Sequence, residues 1–358
     1  MAEPAGEGSI TDVTGVLVGH LTVDDGEVQT GLTAILPYPS SVRHRKLFVG
    51  MASAGGGLGQ TGVQVAEDFG TLSSPILLCN ATTVGIAYDA LITRGHRRDP
   101  ELPVDDAWPP LVFGLDDGYL NDQRRRPIGH DDVLRTVEQA QAGPVACGSV
   151  GIGRGLCALG GKGGVGDGAR VLQVGGAAYK LGVLCAANGG VAPGAHGGAA
   201  PGATSAAAPG ANAAEVRSPA PGSVLVVATD APLFPAQLCM LAEAALRGLD
   251  GTAPPSGVES RRALAFSTAS AIEGSMEKPF RSLYPGKHLG EAGLGALLDA
   301  AASGARVALG RALGAATAVT GRKGRVVKPL DAAALARLAG ASPGPAPAGG
   351  LTLRAMVE

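Results

Sequence analysis

With 358 residues and a formal net charge of −2, the chain is long enough to bury a sizeable core and has no excess charge to draw it to phosphate backbones or anionic lipid. Neither nucleic acid nor a membrane is therefore an expected partner. Aromatic residues make up only 3% against a hydrophobic fraction of 45%, so the core must come from Ala, Val, Leu and Ile, a composition that favours close approach of backbones.

The opening residues 1–9 read as a flexible leader, with acidic residues where a secretion signal needs basic ones and no apolar run behind them. No unbroken apolar stretch of about 18 residues occurs, so a cytoplasmic chain without a membrane span is expected. GVLVGHLTV (15–23) and TGLTAILPYP (30–39) predict two strands joined by a turn at Asp24 to Gly26. Residues 47–62 predict a strand running into a glycine-rich turn, 63–70 the start of a helix, 75–81 an apolar strand and 84–94 a helix. A charged, proline-rich loop (95–110) leads to a short apolar run, Leu111 to Phe113, and then to DDGYLND (116–122).

HDDVLRTVEQAQAG (130–143) predicts a helix closed by its terminal glycine. A small-residue strand and loop region follows, with β-like runs at 169–174 and 178–187. Residues 189–222 contain almost no large apolar side chain and cannot bury enough surface to offset ordering, so they read as a flexible loop. The pattern reverses at SVLVVATDAPL (223–233), a strand fit for the centre of a sheet. A helix at 235–249, a strand at 262–269, one or two helices over 293–313 and a mobile tail at 341–358 complete the chain. Alternating strands and helices place the protein in the α/β or α+β class, as a single domain over 10–340.

Cys79, Cys147, Cys157, Cys185 and Cys239 are odd in number and lack a Cys-x-x-Cys pair, and the six histidines match no ligand spacing. No metal, disulfide or organic cofactor is expected. Gly-x-Gly-x-x-Gly occurs at Gly57–Gly59–Gly62 and at Gly161–Gly163–Gly166, but neither copy has the acidic residue that a ribose requires at the end of a following strand. In so glycine-rich a chain both read as turns.

Ser223 stands out by position. Gly222 before it leaves the preceding carbonyl unhindered, the loop would let new ends separate, and the strand would hold the serine rigidly. Cleavage between Gly222 and Ser223 would create an α-amine, of ordinary pKa about 7.7–8.0, beside the hydroxyl it could deprotonate. The alternative is an ordinary serine at a loop boundary.

At this point ITDVTGVLVGH, TGLTAILPYP, DGYLND, GSVGIGRG, GSVLVVATDAPL, AFSTA and AVTGRKGRVVKPL occur together in order. From about Ile10 to Leu330 the chain resembles the P1 family of N-terminal nucleophile aminopeptidases, which includes the L-aminopeptidase D-amidase/D-esterases and the β-peptidyl aminopeptidases. The resemblance implies a four-layer α/β/β/α sandwich, self-cleavage into 1–222 and 223–358, and hydrolysis of small amino-acid amides, esters or short peptides without a cofactor. It also suggests a ring-like homo-oligomer of αβ pairs, with four as the working number.

Carried over residue by residue, the resemblance makes Ser223 the nucleophile, Asn188 an oxyanion-stabilising amide and Tyr119 an active-site tyrosine. Read without it, Asn188 is a strand-end turn residue and Tyr119 a half-buried ring. The family's Ser-Gly-acid segment is altered to PSGVESRRALAFST, leaving Ser256 with Glu259 as the candidate relay or as a polar surface loop. The glutamate associated with the substrate's free amine is Gly114 by ungapped alignment, so Asp116 is the candidate in its place. Acyl transfer at the same site, and a catalytically silent paralogue with a binding role, stand as alternatives.

Overall fold

The structure is a computed structural model that describes residues 8–38, 45–55, 59–100, 109–189, 222–250, 252, 260–273 and 288–340. In chain order its strands are β1 (Leu17–Asp25), β2 (Val28–Leu36), β3 (Arg45–Ala54), β4 (Gly59–Thr61), β5 (Thr71–Leu72), β6 (Ile76–Asn80), β7 (Leu111–Leu115), β8 (Cys157–Ala158), β9 (Gly161–Lys162), β10 (Gly164–Val174), β11 (Ala177–Ala187), β12 (Gly222–Thr229), β13 (Ser260–Glu273), β14 (Val319–Gly321) and β15 (Arg325–Val327). The helices are α1 (Val63–Phe69), α2 (Val84–Arg98), α3 (His130–Glu138), α4 (Pro235–Arg247), α5 (Glu291–Gly314) and α6 (Ala332–Gly340).

Two sheets result, ordered β10-β11-β12-β13-β3-β5 and β1-β2-β6-β7-β4. Each contains a parallel pair, β12 with β13 and β6 with β7, and parallel neighbours need a crossover, which α4 and α2 provide. The alternation of side chains along β12 shows how the layers form. Leu225 and Val227 pack with Leu238 and Leu241 of α4 and Leu297 and Leu309 of α5. Val224, Val226 and Ala228 face the other way, against Leu78 and Phe113 of the second sheet. That sheet's outer face, through Leu32, Leu77 and Val112, is covered by Ala87 and Leu91 of α2 and Val133 and Leu134 of α3. The order helices, sheet, sheet, helices is the expected α/β/β/α sandwich.

The scarcity of aromatics is answered by close packing. Gly164, Gly166 and Gly168 lie at alternate positions of β10, and a Cβ there would stand 2.5 Å from Ala312 O, 2.3 Å from Ala308 O and 3.0 Å from Val307 Cγ1. This stripe lets α5 rest on the strand backbone. It also corrects the reading of the second glycine triplet as a turn, since Gly161 lies in β9 and Gly166 in β10. In the first triplet Gly57 is outside the described residues, Gly59 is in β4, and Gly62 precedes α1 with φ +73°. The helix α5 is single and 24 residues long; by length and hydropathy it could cross a membrane, but Leu297, Ala301, Ala305 and Leu313 are buried in the core against the first sheet.

Other boundaries moved for local reasons. The helix expected to run to Gly143 stops at Glu138, because Gln141 pairs its backbone with Val18 in both directions (3.1 and 3.0 Å). Gly8 and Ser9, read as the end of the leader, are packed: Gly8 bridges Ala169, and Ser9 Oγ donates to the buried Asp167 Oδ2 at 2.6 Å. The hairpin β14–β15 and helix α6 are additions to the sequence reading. Residues 1–7, the interior of the expected loop (190–221) and the tail 341–358 lie outside the described residues.

A Cβ at Gly50 of β3 would sit 2.1 Å from Cys239 N and 2.3 Å from Leu238 C, backbone atoms of α4 that cannot yield cheaply. Gly50→Ala should therefore cost about 2–3 kcal/mol in urea denaturation. Gly59→Ala, where nothing lies within 4 Å, should stay within about 0.5 kcal/mol of the parent.

Candidate active site

The first sheet brings the ends of β11 and β12 together. The antiparallel pairing runs to Ala186 opposite Val224, and Asn188 then leaves the strand. There the ladder is continued by a side chain: Ser223 Oγ donates to Asn188 O at 2.9 Å and accepts from Asn188 N at 3.2 Å. Ser223 is 7% exposed, and on its other side it is level with Arg261 of β13. Among the described residues both hydrogen bonds of the hydroxyl are to main-chain groups.

The Asn188 side chain is fully buried and both its ends are tethered. Oδ1 accepts from Cys157 N at 3.3 Å, and Nδ2 donates to Asp116 O at 3.1 Å. An Asn amide nitrogen has two hydrogens, and among the described residues this arrangement commits one of them. Unlike a side chain at a simple strand-end turn, this amide spans from the first sheet to the loop after β7 in the second.

Asp116 meets the site through its carbonyl. Its carboxylate Oδ1 accepts from Gly118 N at 2.9 Å and Gln123 Nε2 at 3.3 Å, which closes a turn. Asp117 anchors that turn from below, buried, with its carboxylate accepting from Thr30 Oγ1 (2.6 Å), Gln123 Nε2 (2.9 Å) and Asn121 Nδ2 (3.0 Å). Burial raises the Asp117 pKa, and these three hydrogen bonds oppose the rise. Tyr119 is half-buried beside Leu120, Cys157, Val319 and Val327, with the Arg325 guanidinium 4.4 Å above its ring. The position aligned with the family's glutamate cannot carry a side chain in this packing, since a Cβ on Gly114 would lie 2.7 Å from Val84 Cγ2 and 2.9 Å from Ala81 Cα.

The structure thus brings together Ser223, Gly222, Asn188 and the Asp116 carbonyl, with Tyr119 reaching them through Cys157. Ser256 and Glu259 lie outside the described residues. Sequence reasoning passed over Ser260, which is level with Gly222 in the parallel pair, 4% exposed, and carries a buried hydroxyl with no hydrogen-bond partner among the described residues. Only the register between β12 and β13 singles it out.

Lys162, set aside with the glycine triplet, is also part of the neighbourhood. It is fully buried, and Nζ donates to the carbonyls of Gly153 (2.6 Å), Leu156 (2.8 Å) and Gly163 (2.8 Å). These bonds occupy the three hydrogens of an ammonium, so Lys162 is not placed as a base for the Ser223 hydroxyl. The nearby Cys157 thiol is pushed up to about 12 by burial, which keeps it protonated and a poor rival nucleophile. Among the described residues no cluster of three or more His, Cys, Asp or Glu is placed to hold a metal.

Comparison with known proteins bears on the family and the fold. The model of peptidase family S58 matches residues 8–327. A beta-peptidyl aminopeptidase, BapA, of Sphingosinicella microcystinivorans is 33% identical over 292 residues, spanning 75% of this chain and 72% of that protein. The solved beta-aminopeptidase of a Burkholderia species superposes with a TM-score of 0.79 at 30% identity, covering 94% of this chain and 95% of the other. The L-aminopeptidase D-Ala-esterase/amidase of Ochrobactrum anthropi, described as a prototype serine aminopeptidase and a variant of the Ntn hydrolase fold, also gives 0.79, at 26% identity and the same coverage.

Burial lowers the Lys162 pKa from its ordinary 10.5 to about 7. Below pH 7 the folded and unfolded chains both carry this proton; from about 7 to 10.4 only the unfolded chain does, so unfolding free energy rises with pH across that window. Urea midpoints at pH 6.5, 8 and 9.5 should show this slope in the parent and its loss in Lys162→Met.

Proposed function

Because the chain belongs to peptidase family S58 and is therefore a hydrolase of the peptidase class, we propose that it works as a self-processing serine aminopeptidase, acting also on small amino-acid amides and esters. The observation that carries this reading is the two-way clasp between the Ser223 hydroxyl and the Asn188 main chain at the mouth of a fully buried strand.

In the maturation step, Ser223 Oγ attacks the Gly222 carbonyl carbon. The Gly222–Ser223 C–N bond breaks as the nitrogen takes up a proton, and water then hydrolyses the resulting ester. The products are chains 1–222 and 223–358, the second bearing a new α-amine on Ser223. That amine, with an ordinary pKa of about 7.7–8.0, serves as the base for the hydroxyl of its own residue. In turnover the hydroxyl attacks the substrate carbonyl, the proton passes through the α-amine to the leaving amine or alcohol, and water releases the acyl group. The free hydrogen of Asn188 Nδ2 meets the negative charge that develops on the carbonyl oxygen. Such a donor acts without reorganising, because both ends of the amide are already tethered.

Asp116 is our assignment for the substrate's ammonium, through the carboxylate at the rim of the same turn. For the serine and acid relay implied by the resemblance, Ser256 with Glu259 remain the assignment from sequence, and Ser260 joins them by its pairing with Gly222. The mature form is proposed as a cytoplasmic homo-oligomer of αβ pairs without a cofactor. A peptide-forming transferase would use the same acyl-enzyme with an amine in place of water, so product analysis with added amine nucleophiles separates the two.

Denaturing mass spectrometry should find two chains for the parent and a single 358-residue chain for Ser223→Ala, with turnover of aminoacyl p-nitroanilides abolished in the variant. A parent that stays whole and inactive would leave only the silent binding role. Asn188→Ala, assayed on material that has matured, should lower kcat about 10²–10³-fold with a smaller change in KM. Asp116→Asn should raise KM about tenfold for substrates with a free amine and leave N-acetylated esters unaffected.

A further inference from the structure

The segment between the end of the Gly151–Arg154 turn and the start of β10 is built around one side chain. Lys162 Nζ ties together the carbonyls of Gly153, Leu156 and Gly163, three points spread over eleven residues of chain. Its own backbone is fixed from outside, with Lys162 N donating to Lys328 O at 2.8 Å and the residue paired across the β8–β9 hairpin with Cys157. The strap so braced carries the supports of the proposed oxyanion amide. Cys157 N donates to Asn188 Oδ1 at 3.3 Å, Cys157 O accepts from Gly189 N at 2.7 Å, and Leu159 N donates to Gly189 O at 2.9 Å. The Asn188 side chain and the main chain that follows it at Gly189 are therefore held by a hairpin that Lys162 closes.

Among the described residues no carboxylate bonds to Nζ, and its hydrogen bonds all go to main-chain carbonyls. Placing an ammonium in a fully buried position is costly unless its hydrogens are all used. A methionine would fill the same volume but would no longer tie the carbonyls of Gly153, Leu156 and Gly163 to one point.

We propose that Lys162 is a positioning residue for catalysis: by gathering the carbonyls of Gly153, Leu156 and Gly163 it fixes the hairpin that sets the Asn188 amide in line with the Ser223 hydroxyl. Lys162 touches neither substrate nor reacting atoms, and acts through Cys157 and Asn188. Its removal leaves the nucleophile and the amide in place but lets the amide wander, and displacement of a catalytic donor by about 1 Å costs on the order of 10²-fold in rate.

This inference rests on the proposed role of Ser223 and Asn188, and the test separates the two. Lys162→Met and Lys162→Gln are matured, their active sites titrated with an acylating ester, and kcat and KM measured per titrated site. The expected result is a fall in kcat of about tenfold or more for Met and less for Gln, which keeps two of the donors, with KM within about threefold of the parent. Hydrogen exchange followed by mass spectrometry should show faster exchange in peptides covering 156–164 and 182–189 and unchanged exchange in β12. Full kcat per titrated site in Lys162→Met, or unchanged exchange in the strap, would overturn the proposal.

Should both variants fail to fold, the parent alone decides. The groups facing Nζ are the Cys157 thiol from β8 and the Arg154 guanidinium from the preceding turn. The thiol stays protonated over this range and a guanidinium stays charged, so Nζ is the member of the set that titrates. Between pH 6 and 8.5, strap protection corrected for intrinsic exchange should rise, because opening the strap returns Nζ to water and to its ordinary pKa; protection independent of pH overturns the proposal. If the parent turns over no substrate, the enzymatic reading fails, while the exchange measurements still decide whether Lys162 braces Asn188.

Discussion

The double burial of β12 is the constraint on which the rest of the structure depends. All eight of its residues are buried, so each of its backbone donors and acceptors must find a partner within the protein. Neighbours on both sides meet that demand, β11 antiparallel and β13 parallel. The strand consequently cannot slide: a slip of one residue would turn Val224 and Val226 from the space between the sheets to the helical face. Ser223 inherits this rigidity as the second residue of the strand.

Where the ladder stops, the site begins. Past Ala186 the β11 chain no longer pairs with β12 main chain in register, and the Ser223 hydroxyl takes over the donor and acceptor of Asn188. The same device recurs one step outward, where the Asn188 amide uses Cys157 N and Asp116 O, and again where Lys162 uses three carbonyls. In each case a buried polar side chain is satisfied by backbone rather than by another flexible side chain. Each such group would cost about 1–3 kcal/mol if left unpaired, so the network is held to one geometry. A site that stabilises developing charge with fixed dipoles needs this stiffness.

Small residues allow these backbones to come close enough. The glycine stripe of β10 admits α5, and Gly50 of β3 admits α4, so the two helices lie directly on the sheet that carries Ser223. With few large rings available, contact between main chains replaces the interdigitation of aromatic side chains. The arrangement leaves little tolerance for added volume, because a methyl group at Gly164, Gly166 or Gly50 meets backbone and not a side chain that can rotate away.

The sequence by itself determined the repeating elements and the family, because strand and helix periods and the order of short motifs are local properties. The continuous apolar run in SVLVVATDAPL marked a buried strand, and its abrupt start after a loop without large apolar residues marked Ser223. The sandwich followed from the motifs and was realised in the two facing sheets. Only the tertiary structure decided how the remaining groups are used. The bond between Asn188 and Ser223 joins residues 35 apart and that between Asn188 and Asp116 residues 72 apart, across two sheets whose mutual placement no local pattern encodes. For the same reason Asp116 meets Asn188 by its carbonyl while its carboxylate closes a turn, Gly161–Gly166 serve packing rather than a turn, and Ser260 and Lys162 acquire their places from register and enclosure. A residue's type and spacing tell which face it prefers; which atom it meets there depends on chain segments that come together only when the core closes.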